Sequence, residues 1–160
     1  MGTNTVGVLQ MYSVVPSGQP NAGKDAIEDA TDLDTYLKRK TTTFEKLASE
    51  INANAGILDI STSNRIVITM DESIPFLDLT GLDLVTNFDS SLLSIVIKFV
   101  QSGAGNFTVN AGDSILFGLD FGSLPLSGSV GVRDLAGFIY DKDLDKYLCV
   151  SFAKGFNNGS

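Results

Sequence analysis

Residues 92–121 read LLSIVIKFVQSGAGNFTVNAGDSILFGLDF. In the first third, Leu93, Ile95, Ile97 and Phe99 fall on one side of an extended chain, and Ser94, Val96 and Lys98 on the other. That two-residue period predicts a half-buried strand. QSGAGN supplies turn chemistry, NFTVN then points Phe107 and Val109 inward, and AGD turns again. In SILFGLDF the alternation predicts one face made of Ile115, Phe117, Leu119 and Phe121. Short strands separated by Gly, Asn and Asp at regular intervals indicate an all-β domain rather than βαβ units.

The same grammar extends in both directions. Upstream, NRIVITM reads as a strand and IPFLDLTGLDL as a further extended segment. Downstream, DLAGFIY and KYLCVSF flank an acidic turn, Asp141 to Asp145. In the last strand, alternation sets Tyr147, Cys149 and Ser151 against Leu148, Val150 and Phe152, and the second set is the more apolar. That set is expected to face the core. The prediction for residues 57–160 is therefore an antiparallel β-sandwich, jelly-roll-like, within a mainly β protein.

Residues 1–56 have a different character. Ala26, Ala30, Leu33, Leu37, Lys40, Phe44, Leu47 and Ile51 recur at alternating spacings of four and three, the period of a helical face. Acidic residues (Asp25, Glu28, Asp29, Asp32) precede Lys38, Arg39 and Lys40, the order that a helix dipole favours. Thr42-Thr43-Phe44-Glu45 fits a capping box, where a second helix would start, and Gly56 is a suitable stop. Two readings follow: amphipathic helices lying on the β-domain, or a short helical bundle between subunits. The expected division is 1–56 as a strand, linker and helices, an N-terminal attachment or trimerisation segment, and 57–160 as the β-domain. The linker is PSGQPNAG, rich in Pro, Gly and Asn.

Composition narrows the chemistry. A chain of 160 residues has room for one sizeable core. Hydrophobic residues at 43% and charged residues at 19% describe a globular protein. The net charge is −8, and residues 57–160 carry twelve acids against six basic groups, which argues against a nucleic-acid surface. No stretch near the start has the form of a secretory signal, and none is long and apolar enough to insert in a membrane. The chain contains no histidine, so Ser-His-Asp and Cys-His catalysis and His-ligated zinc are ruled out. Its one cysteine, Cys149, cannot form an internal disulfide and reads as a small core residue. The expectation is a protein that is not an enzyme, with no catalytic, cofactor-binding or metal-ligating residues and no cofactor.

Two short patterns test that expectation. Gly18, Gly23 and Lys24 have the spacing of a phosphate-binding loop, and RIVITMDE resembles the strand and Asp that would hold magnesium. The hydroxyl position, however, is Asp25, with Glu28, Asp29 and Asp32 behind it, and these charges oppose an anion site. Nucleotide binding is thus the weakest of the functional readings. DKDLDKY (141–147) opens like a calcium loop, but Lys146 and Phe152 stand where Gly and Glu are required. A charged hairpin turn is the simpler account, with a calcium site as the alternative. Scattered carboxylates single out no pair for glycoside cleavage. Phe138, Tyr140, Tyr147 and Phe156 could stack on a sugar, although alternation places most of them in the core.

From about residue 57 onward the order of elements resembles the β-sandwich domains of bacteriophage head and tail fibres. The resemblance rests on NRIVITM, IPFLDLTGLDL, LLSIVIKFVQSGAGNFTVN, DSILFGLDFGSLPLSG, a Gly-rich link, RDLAGFIYDKDLDKYLCVSF and the closing AKGF. Asp134, Tyr140-Asp141, Tyr147 and Gly155-Phe156 match the Asp, Tyr-Asp turn, aromatic strand and closing Gly-Phe of such domains. It implies a virion structural protein made in the host cytoplasm, a short homotrimeric head- or tail-attached fibre or decoration protein acting in attachment. Its implied partners are other capsid or tail proteins and a host surface glycan. The competing reading is a carbohydrate-binding or adhesion module outside a phage.

Overall fold

The computed structural model describes residues 43–82, 94–120 and 122–157. The linker, the phosphate-loop pattern at Gly18, Gly23 and Lys24, the helical prediction for 24–42, Leu93 and Phe121 lie outside them.

The described chain is mainly β. Nine strands and one short helix follow in order: β1 Thr43–Leu47, α1 Ala48–Ala53, β2 Ile57–Asp59, β3 Arg65–Met70, β4 Ile74–Thr80, β5 Ser94–Gln101, β6 Val109–Ala111, β7 Ile115–Phe117, β8 Arg133–Asp141 and β9 Lys146–Phe156. One sheet has six strands in the order β1-β3-β5-β8-β9-β7, and the other three in the order β2-β4-β6.

The chain alternates between the sheets. β1, β3 and β5 are parallel neighbours in the larger sheet, and β2, β4 and β6 are parallel neighbours in the smaller one. Each pair β1/β2, β3/β4 and β5/β6 is thus one rung of a stack, and successive rungs add in parallel. The stack is closed on one side by β8, antiparallel to β5, and by β9, antiparallel to β8. β7 adds to β9 in parallel. The all-antiparallel pairing predicted from sequence is corrected: the larger sheet is mixed, the smaller is parallel, and antiparallel ladders are confined to β5-β8-β9 among the described strands. The three residues Asp71, Glu72 and Ser73 between β3 and β4 are a corner between sheets, not a hairpin loop.

Registers align buried side chains in rows. Phe44, Ile66, Ile97 and Ala136 form one row across β1-β3-β5-β8, and Lys46, Ile68, Phe99 and Asp134 the next. Ile66, Ile68, Met70, Ile95, Ile97, Phe99, Ala136 and Phe138 are buried, as are Leu58, Ile74, Leu77 and Leu79 of the smaller sheet. The alternation read in β5 is present, with Ile95, Ile97 and Phe99 inward and Val96 outward. β7 is shorter than read, because Leu119 lies beyond its end and is fully exposed.

Two further expectations are corrected. Phe44 and Leu47 lie on a strand rather than a helix, and the helix begins only at Ala48. Thr43–Leu47 pairs over its whole length with β3, so residues 43–56 belong to the β-fold and not to a separate segment ending at residue 56. The helix ends at Ala53, with Asn54 as its C-cap, and Gly56 closes the turn that follows instead of the helix itself. This glycine has φ +81° and lies so close to the Phe76 carbonyl that a Cβ would collide with it. In β9 the faces are the reverse of the prediction: Tyr147 and Cys149 are buried and Val150 is half exposed. A register shift in the β8–β9 ladder between Gly137 and Phe138 leaves Val150 out of the pairing, so a simple two-residue count fails beyond it.

Candidate functional site

The acid of the RIVITMDE pattern has a structural task. Asp71 sits just past β3 and caps α1: its carboxylate accepts the Ser49 N–H at 3.0 Å and the Ser49 hydroxyl at 2.6 Å. Hydrogen bonding from the Ser49 hydroxyl, aided by backbone N–H groups, holds Asp71 below its ordinary value of 3.8 against the opposing effect of desolvation. Glu50 accepts the Leu47 N–H at 2.9 Å, and Asn52 donates to the Ser73 carbonyl at 2.9 Å. These bonds tie the corner of one rung to the next.

The acidic turn is likewise occupied by its own backbone. Asp141 accepts the N–H groups of Asp143 and Leu144 at 2.9 and 3.1 Å, a local turn in which the side chain mimics a carbonyl. Asp145, with φ +50°, accepts the Tyr140 hydroxyl at 2.7 Å. Lys146 donates to the Asp113 carbonyl at 3.0 Å. Among the described residues, no group of three or more acids or cysteines is placed to hold a metal ion. Phe138, Tyr140 and Tyr147 are buried, the two tyrosine rings 5.0 Å apart, and only Phe156 of the four is exposed. The side chains read as a stacking platform for sugars are thus mostly core.

Asp134 and Gly155 meet in space. The Asp134 carboxylate is fully buried and accepts the Ser127 N–H (2.6 Å), the Ser127 hydroxyl (2.8 Å) and the Gly155 N–H (2.9 Å). It fastens the loop before β8 and the end of β9 to the start of β8.

No family model, curated protein or solved structure matches the chain. The surfaces therefore have to be read from their own chemistry. Among the described residues no helix is long and apolar enough to cross a membrane.

Two surfaces stand out. The first is the outward face of the six-stranded sheet. Ile139 and Leu148 are cross-strand partners there, and Leu116 continues the row from β7. Beside them, Val96 of β5 is paired with Gly137, over which Ser151 and Val150 lie so closely that a Cβ would strike the serine hydroxyl. Val96, Leu116 and Val150 are each 40–52% exposed. The result is an apolar band across β5, β8, β9 and β7 on a sheet face that also carries Glu45, Arg65, Lys98 and Arg133. Sequence reasoning missed it because it assigned Val150 to the core. The second surface lies at the β1 end of the stack, a cleft among the described residues of about 270 Å³ lined by Phe44, Lys46, Glu50, Ile51, Ile57 and Leu58 among others.

Proposed function

We propose that the protein is a bacteriophage virion structural component, a short head- or tail-attached fibre or decoration protein that assembles as a homotrimer. It acts by attachment or surface adhesion and not by catalysis. The observation that carries this reading is the apolar band Val96, Ile139, Leu148, Leu116 and Val150 on the outer sheet face. A monomer gains nothing by keeping large aliphatic side chains together in water, whereas burial between subunits contributes about 25 cal/mol for each Å² covered. The order of elements shared with phage fibre domains supplies the virion context. In such an assembly the three copies present identical surfaces, so individually weak contacts with a capsid, tail or glycan act together.

The test is the mass of the full-length chain in solution, measured by light scattering from low micromolar concentration upward. A trimer is expected. Val96→Lys with Val150→Lys should lower the mass while leaving the far-ultraviolet circular dichroism unchanged. A monomeric wild-type protein at all concentrations would remove the fibre reading.

A further inference from the structure

The β1 end of the stack presents a different problem. β1 pairs with β3 on one side only among the described residues, and it is an edge of the six-stranded sheet. Such an edge offers backbone N–H and C=O groups to any other strand, although the Leu47 N–H at its end is already taken by Glu50. Its sequence, Thr43-Phe44-Glu45-Lys46-Leu47, would otherwise be adhesive: a β-branched residue, an aromatic ring turned inward and an exposed leucine. The opposite edge, β7, is only three residues long.

We infer that Glu45 and Lys46 act together as a guard that keeps copies of this chain from pairing through β1. The two charges occupy opposite faces of the strand. Lys46 shares its row with Ile68 and Phe99, both buried, so its stem points to the core side at the end of the stack. Its ammonium lies 5.5 Å from the centre of the Phe44 ring and 3.9 Å from Glu50. Glu45 is exposed on the outer face, in the row of Val67 and Lys98.

This placement sets like charges against each other in two of the three central registers that two copies of β1 could use. In an antiparallel pair related by a two-fold axis, side chains on the same face meet, so the axis must pass through a residue and not between residues. An axis through Glu45 pairs all five residues and sets Glu45 directly against its own copy. With the axis through Lys46, two ammonium groups meet at the core side, where they would also lose water. Like charges directly opposite destabilise a sheet pair. An axis through Phe44 avoids both clashes but leaves only three residues of each β1 in register. Head-to-tail addition onto β7 would press the Lys46 ammonium towards an apolar inner face, at the cost of burying an unpaired charge.

The test is Glu45→Thr with Lys46→Val in the full chain, compared with wild type by light scattering across a concentration series. Wild type provides its own reference mass, so the result is independent of whether that mass is a trimer. The double variant should show a rise of about twofold or more in average mass with concentration, as closed or open strand pairing requires. The swapped variant Glu45→Lys with Lys46→Glu, which keeps one charge on each face, should stay at the wild-type mass. A double variant with wild-type circular dichroism and wild-type mass throughout would overturn the inference. So would association of the swapped variant. Should the double variant fail to fold, Lys46→Val alone is read by the same criterion.

Discussion

Replacing Asp134 with alanine should cost more stability than any other single polar substitution in the described fold. The carboxylate has no solvent exposure, and its two oxygens accept three donors, the N–H groups of Ser127 and Gly155 and the Ser127 hydroxyl. Alanine leaves two backbone N–H groups without their acceptor. The Ser127 hydroxyl can turn to another partner, so the two N–H groups set the magnitude. Ser127 is half-buried and Gly155 exposed, so at roughly 1–3 kcal/mol for each N–H that loses a charged acceptor the loss is about 2–6 kcal/mol, towards the lower end where water reaches the freed group. With a urea dependence of about 1.5 kcal/mol per molar for a domain of this size, the midpoint should fall by roughly 1.5–4 M. Asp134→Asn retains one acceptor oxygen and presents an amide donor where the other acceptor was, so it should lie between wild type and alanine. The assay is urea unfolding followed by circular dichroism, with hydrogen exchange at Gly155 as a local readout. A midpoint for Asp134→Ala within about 0.5 M of wild type would show that these bonds do not hold the end of β9 in place.

Val150→Asp should leave the subunit folded, because Val150 is half exposed within it, while Phe138→Ala should lose about 3–5 kcal/mol; circular dichroism and thermal melts of the two variants check the outward face of β9 and the inward face of β8. Asp71 has a folded pKa below its ordinary 3.8, so its contribution is present above that value and is lost as pH falls through the depressed folded value. The stability gap between wild type and Asp71→Ala should accordingly be small, constant from neutral pH down to about pH 5, and close in more acidic solution. Burial pushes the Cys149 thiol up to about 11 from 9.0. Its stabilising effect is therefore intact below pH 9 and lost as pH rises towards 11, and a thiol reagent at pH 8 should label native protein far more slowly than protein in urea.

The strands themselves were legible because alternation is local. Ile95-Ile97-Phe99 and Asp134-Ala136-Phe138-Tyr140 have the period of a half-buried strand, and both sets are buried. Pairing direction was not legible. A short turn such as Asp71-Glu72-Ser73 looks the same in sequence whether it reverses a strand within one sheet or carries it across to another. The misreading of β1 has a related cause. Phe44, Leu47 and Ile51 satisfy helical spacing, while Phe44 and Lys46 satisfy strand spacing, and only the five-residue ladder to β3 decides between them. The charge at Lys46 obscured the inner face of that strand. In β9 the buried Tyr147 and Cys149 alternate with the outward Leu148 and Val150, so the period was legible and apolar character alone pointed to the wrong face. For the surfaces the limit is similar: the apolar band is composed of residues from four strands that are up to 54 positions apart, Val96 to Val150, and becomes visible only after the ladder is known.

The closing role of β8 has a consequence for how the protein is made. β5 finds its antiparallel partner only after the whole of the intervening chain, residues 102–132, has been synthesised. During translation the rungs emerge first, with β5 presenting an uncovered flank, and the strands that seal it leave the ribosome later. At roughly 5–20 residues each second, that flank stays bare for seconds, long enough for a neighbouring nascent chain to occupy it. Ribosome spacing and chaperone occupancy, rather than the finished fold alone, will then govern how much correctly closed protein a cell obtains. Slowing elongation just upstream of the codons for β8 should make misassembly worse.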